Sequence, residues 1–268
     1  MEYQDVMQQR LLMVYLSDLG KQVMEMSEEI YADGTFATAP KGFCQIYFLM
    51  GKIKNKRPLL FGFALLPDKE TETYEKLVEV LKVTIDVDNI KMVRLMVDFE
   101  KAVWKAFRKH FPSVTIVGCN FHHIKAIRKH IADNGLKSLY GHCTEFQYLV
   151  KLILALTYVP EAKVQVAFDT VVQAQYKRLQ EEDIYDDYEV QLISFMAYIT
   201  RTWIGRGTGP QRKKPMFPIQ SWNKHEDVIM DKLLTNNVVE TYNANWTDTM
   251  ERTPSLYSVI EGFNRQVC

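Results

Sequence analysis

Cysteine is scarce in this chain. The four present in 268 residues (Cys44, Cys119, Cys143 and Cys268) are scattered, which excludes a disulfide-stapled scaffold and points to a reducing, intracellular setting. Long apolar runs are missing too: nowhere do about eighteen apolar residues follow one another, so no segment is expected to span a membrane. The opening residues Met1-Glu2-Tyr3-Gln4-Asp5 contain acids and no basic stretch, which excludes a secretory leader there. Neither sign of charge prevails. Lys+Arg and Asp+Glu stand at 33 each, so the overall balance gives none of the basic excess usual in dedicated nucleic-acid modules. Internal repeats and low-complexity tracts are absent. What remains is 47% hydrophobic and 25% charged, the make-up of a globular protein able to bury a large core.

The hydrophobic period changes along the chain. From Val6 to Glu29, Leu12, Val14, Tyr15, Leu19, Val23 and Met26 recur at mixed three- and four-residue steps without proline, which predicts a helix. Three β-type runs follow, Asp33 to Thr38, Phe43 to Ile53 and Leu59 to Leu66. They are separated by Pro40-Lys41-Gly42 and Lys54-Asn55-Lys56-Arg57-Pro58, as in an antiparallel meander. A helix over Glu70 to Lys82, an apolar strand over Lys91 to Asp98 and a short helix over Lys101 to His110 come next. A strand over Val114 to Gly118 and a basic helix over His122 to Asn134 complete the pattern. This is an α/β arrangement with a mixed five-stranded sheet flanked by helices. Beyond Gly135 strand signals stop, and helices are expected over Phe146–Leu156, Glu161–Gln180 and Tyr188–Trp203, with a last one from about Asn237 to Met250. The expected division is an N-terminal helix (1–29), an α/β core (30–134), a helical segment (135–230) and a closing helix (231–268).

Three strings at strand ends carry the chemistry: Asp33-Gly34-Thr35-Phe36, Met96-Val97-Asp98-Phe99-Glu100 and Cys119-Asn120-Phe121-His122. Two acids raised by separate hydrophobic strands suit hard divalent cations, which prefer a few carboxylates together with substrate phosphates. A pair of such ions can stabilise both oxygens of an in-line phosphodiester displacement. Each acid also has a plainer reading. Asp33 before glycine suits a turn, and Asp98 suits a helix N-cap. Glu100 is read as a first-turn acid favoured by the helix dipole rather than a secondary ligand. Cys119 and His122 have the spacing of a zinc half-site, with His142-Cys143 as a second half. The first pair straddles a strand end and the second offers adjacent ligands, so one tetrahedral centre is disfavoured. His123 is expected at the surface. Lys125, Arg128 and Lys129 form a stripe that either follows phosphates or is a solvated helix face. Arg206, Arg212, Lys213 and Lys214 form a basic loop that contacts DNA, serves as a nuclear address, or is plain surface. Trp203, Trp222 and Trp246 are read as core residues before stacking platforms. No Ser or Cys nucleophile elbow occurs.

Five strings in order resemble the transposase domain of Mutator-like elements (MULE), within the ribonuclease H-like integrase superfamily. They are Asp33-Gly34-Thr35-Phe36, Phe63-Ala64-Leu65-Leu66-Pro67 with Glu72-Thr73-Tyr74, Asp98-Phe99-Glu100-Lys101-Ala102, Gly118-Cys119-Asn120-Phe121-His122, and Thr235-Asn236-Asn237-Val238-Val239-Glu240-Thr241-Tyr242-Asn243. The resemblance implies a ribonuclease H-like sheet with a long all-helical insertion before the last catalytic acid. It implies that Asp33, Asp98 and Glu240 hold two Mg²⁺ or Mn²⁺ ions for hydrolysis at element ends and strand transfer. By itself Glu240 would be a solvated helical glutamate; the flanking asparagines single it out over Asp169 or Glu226. Cys119 and His122 are expected near the active site, as supporting residues. The implied partner is double-stranded DNA, at transposon ends and target, with self-association and a nuclear location. Transposases of this type carry an upstream zinc-finger-like module, and no cysteine or histidine precedes Cys44. With the end at Cys268 soon after Glu240, the expectation is a truncated copy. The alternative is a domesticated, transposase-derived DNA- or protein-binding factor without activity.

Overall fold

The computed structural model describes residues 2–5, 10–54, 56–84 and 90–267. They fall into two compact units, one of residues 1–117 with 235–268, the other of residues 118–234.

The first unit is built on a mixed open sheet. Its strands are β1 (Glu2–Asp5), β2 (Arg10–Leu16), β3 (Glu29–Thr35), β4 (Gln45–Lys52), β5 (Leu59–Leu66), β6 (Arg94–Val97) and β7 (Thr115–Gly118), in the order β1-β2-β5-β4-β3-β6-β7. The β1–β2, β2–β5, β5–β4 and β4–β3 pairs are antiparallel, and β3–β6 is parallel. Six strands, β2 to β7, form the body of the sheet, and the four-residue β1 extends its edge. The helices are α1 (Asp18–Met26), α2 (Thr71–Thr84) and α3 (Lys101–His110).

Three expectations need correction. The helix expected over Val6–Glu29 is a strand, β2, followed by the shorter α1; Val6 to Gln9 lie outside the described residues. Leu12 and Val14 are buried with a spacing of two, the period of a strand. Ser17 then ends the strand and starts the helix, its Oγ accepting the Gly20 N–H at 2.9 Å as an N-cap. The sheet therefore has more than five strands, the additions lying beyond β5. The first meander strand is also displaced. It runs from Glu29 to Thr35, so Asp33 lies inside it, and Phe36 onward forms the turn.

In the second unit every element from Asn120 to Ile229 is helical. These are α4 (Asn120–Asp133), α5 (Lys137–His142), α6 (Thr144–Ala155), α7 (Val164–Ala167), α8 (Gln173–Gln180), α9 (Tyr185–Ile199), α10 (Ile219–Trp222) and α11 (His225–Ile229). The passage from α7 to α8 winds as a π-helical turn, Phe168–Val172, and α9 ends in another, Thr200–Ile204. Phe146, Leu149, Phe168, Leu179, Leu192 and Phe195 fill the core.

The chain then returns to the first unit as α12 (Asn237–Thr249) and α13 (Leu256–Val267). Residues directly opposite one another in a sheet share a face, and successive residues alternate. Phe48 of β4 meets Tyr242 and Trp246 of α12, and Phe63, directly across on β5, meets Phe263 of α13. Tyr47, one residue before Phe48, meets Tyr74 of α2 on the other face. Thus α12 and α13 cover one side of the sheet and α2 the other.

Candidate active site

Asp33 sits on the central strand β3, paired with Phe48, and so points to the side covered by α12. The residue is 9% exposed, and its carboxylate is held from two directions. Oδ1 accepts the Gly34 N–H at 2.9 Å, and Oδ2 accepts the Asn243 side-chain amide at 3.1 Å. The second bond joins residues 210 positions apart.

Asp98 follows the last residue of β6. Parallel register pairs Glu29 with Arg94, Ile30 with Leu95 and Tyr31 with Met96. β6 ends at Val97, so Asp98 leaves the sheet at the C-terminal end of the strand that adjoins β3, the strand of Asp33. The corner beyond it is fixed: the Trp104 indole N–H donates to the Asp98 carbonyl at 2.6 Å, and Trp104 stacks on Phe99. The Asp98 carboxylate accepts the N–H of Glu100 two residues on, an Asx-type turn. Burial raises the Asp98 carboxyl above the usual aspartate range, against the pull of that N–H and of Lys69. Glu100 is raised as well, by burial and then by the nearby Asp98 charge.

Glu240 lies on α12, whose placement rests on its neighbours. Asn236 donates to the Ala32 carbonyl at 3.2 Å and Asn243 donates to Asp33, both on β3. Glu240 falls four residues after the first and three before the second, on the same helical stripe. Val239, one residue earlier, and Trp246 are fully buried and anchor the helix.

Sequence reasoning missed the polar string behind these acids. Gln45 donates to the Tyr74 hydroxyl at 2.7 Å, and that hydroxyl donates to Glu100. Lys69 stands 3.8 Å from Glu100 and over the Phe36 ring at 3.8 Å. The Tyr47 ring lies against Gly34, where a Cβ would come 3.4 Å from it and 2.1 Å from Gln45 Oε1. Burial, then Tyr74, Asp98, Asp33 and Glu100, push the Tyr47 phenol well above its ordinary value. The available signal was Gln45, a polar residue at the start of the apolar run Ile46–Met50.

Residues 30–126 match the MULE transposase domain. A search of curated proteins gave no match. Asp33, Lys69, Tyr74, Asp98 and Glu100 lie within the MULE match, as do Cys119, His122 and Lys125; Arg128, Lys129, Glu240 and Asn243 lie outside it. No described helix is long and apolar enough to cross a membrane.

The other residues singled out from the sequence belong to the second unit. Cys119 is buried at the N-terminal end of α4, and His122 packs edge-on against Phe121 in the first turn. Among the described residues, His142 and Cys143 do not join them in a metal-ligating group. His123 corrects its expected surface position: it is 2% exposed, because His123, Ile127 and Ile131 form the inward stripe of α4. It lies between Trp203 and Trp222, both core residues. Burial, with a contribution from Lys224, lowers its pKa to about 3. On the outer stripe Lys125, Arg128 and Lys129 are exposed; Lys129 pairs with Asp133 at 2.5 Å, and Arg128 borders a cavity with Lys137 and Tyr140. Arg212 turns inward, paired with Asp169 of the π-helical turn and bonded to the Gly205 carbonyl at 3.2 Å. Lys213 and Lys214 stay exposed.

Proposed function

We propose that this chain is the catalytic part of a Mutator-like DNA transposase, hydrolysing phosphodiester bonds at transposon ends and joining the freed 3′-hydroxyl to target DNA. The observation that supports this reading is that Asp33 lies on β3 and Asp98 follows the adjoining parallel β6, with Asn243 of Glu240's helix bonded to Asp33. The donor set fits Mg²⁺ or Mn²⁺, since it consists of hard carboxylate oxygens. The raised Asp98 and Glu100 carboxyls mark a place where a cation would relieve crowded, buried negative charge. Asp33, Asp98 and Glu240 would hold two such ions, which when bound supply positive charge to the attacking and leaving oxygens.

The chain's own groups do the positioning. Asn243 and the Gly34 N–H fix the Asp33 carboxylate, and the Glu100 N–H and Trp104 fix the Asp98 corner. No covalent protein nucleophile is required. Lys125, Arg128, Lys129, Lys213 and Lys214 are the exposed cations assigned to phosphates of double-stranded DNA, with Cys119 and His122 as supporting residues; Arg212 holds the loop. The fold assigned is ribonuclease H-like with the helical unit as its insertion, and a nuclear location and a homo-oligomer go with the reading.

Cleavage of labelled duplex oligonucleotides with Mg²⁺ or Mn²⁺ tests it. Asp33→Asn, Asp98→Asn and Glu240→Gln should each abolish cleavage with the circular dichroism spectrum retained, whereas Glu251→Gln should not. Undiminished cleavage in either aspartate variant overturns the metal site. DNA binding without cleavage by the unaltered protein, with either ion, overturns the catalytic reading in favour of a transposase-derived binding factor.

A further inference from the structure

Glu100 occupies the N-cap position of α3, yet its side chain makes no capping hydrogen bond. It turns instead toward Tyr74 and Lys69. Among the described residues its Oε1 is buried and has no hydrogen-bond partner. A buried acceptor left unmatched is costly, the more so when charged, so its persistence calls for a partner. A second group presents the same deficit. The Tyr47 hydroxyl, on a residue only 3% exposed, also has no partner and lies in the fields of Asp98, Asp33 and Glu100. Two unmatched buried polar atoms thus both feel the charge of Asp98.

We propose that Glu100 is a positioning residue of the metal site, its Oε1 accepting a hydrogen bond from water in the coordination shell of the cation held by Asp33 and Asp98. Tyr74, itself braced by Gln45, holds the Glu100 carboxylate in place. Lys69, 3.8 Å away, balances its charge. Outer partners of this kind orient what the direct ligands hold, and losing one typically costs about 10–100-fold in metal affinity. This inference rests on the metal-site reading above.

Mn²⁺ binding to the purified full chain, followed by electron paramagnetic resonance of the free ion, separates the two. Glu100→Gln retains an acceptor for Tyr74 and should fold. Its Mn²⁺ affinity should fall about tenfold, with a melting temperature in EDTA equal to or above that of the unaltered protein. Tyr74→Phe, which frees the carboxylate, should weaken binding several-fold and serves should the glutamine variant not fold. Asp98→Asn is the reference. If it binds Mn²⁺ as the unaltered protein does, the metal site itself fails, and this inference with it. If Asp98→Asn loses binding while Glu100→Gln or Tyr74→Phe keeps full affinity, the role assigned to Glu100 is overturned and the metal site stands.

Discussion

Trp246 offers a test in which two opposing effects have comparable size. It is fully buried, edge-on to Phe48 at 5.3 Å and stacked near Tyr242 at 6.2 Å. A Cβ on Gly262 of α13 would come 3.1 Å from its ring. Its indole N–H is buried with no partner among the described residues. Truncation to alanine should cost about 3–5 kcal/mol, the range for emptying a large aromatic site. Replacement by phenylalanine removes two ring carbons at about 0.8 kcal/mol each. It also removes an unmatched donor whose burial costs about 1–3 kcal/mol. These nearly cancel, so Trp246→Phe should fall within about 1 kcal/mol of the unaltered protein. For a unit of this size each kcal/mol shifts the melting midpoint by about 2–4 °C. Thermal and urea unfolding followed by circular dichroism should show a small shift for phenylalanine and a drop of about 6–20 °C for alanine. Equal destabilisation by the two substitutions would refute the reasoning, because it would mean that the N–H contributes a bond that phenylalanine loses.

Three further outcomes are expected. In metal-free protein the raised Asp98 carboxyl contributes stability below its unfolded pKa, near 4, that is lost as pH rises through the higher folded value. Asp98→Asn should therefore gain on the unaltered protein as pH rises from 4 to 7 in chelator; a gap independent of pH would contradict this. His123, lowered to about 3, favours the folded state above its unfolded pKa of about 6.5 and loses on the order of 4 kcal/mol as pH falls to about 3. Its imidazole NMR signals should not titrate between pH 5 and 8, and movement there would show a solvated ring. Arg212→Gln, which strands Asp169, should cost about 1.5–3 kcal/mol, while Lys213→Gln and Lys214→Gln should stay within about 0.5 kcal/mol in urea titrations.

The sheet centre was readable from the sequence because Leu59–Leu66 is apolar throughout and Leu95–Val97 runs apolar up to Asp98. Arg10–Leu16 was misread because a short apolar run fits a helix or a strand equally well, and only its pairing with β5 decides. His123 was misplaced because its neighbours His122 and Lys125 suggested an exposed face, whereas Ile127 and Ile131 set the buried stripe. The Gln45–Tyr74–Glu100 string joins a strand, a helix start and a strand–helix corner. No local pattern announces such a contact. Asn243 was legible as a member of Glu240's stripe, but its bond to Asp33 depends on where α12 lands.

That bond also sets a timetable for synthesis. About 145 residues separate Asp98 from Asn243, and ribosomes add about 5–20 residues each second. For roughly seven to thirty seconds the emerging polypeptide carries both aspartates with no α12 above them. An interrupted translation product would bear the acids without Glu240 or Asn243. The Asp33–Asn243 bond therefore closes only after the whole helical unit between them has been made.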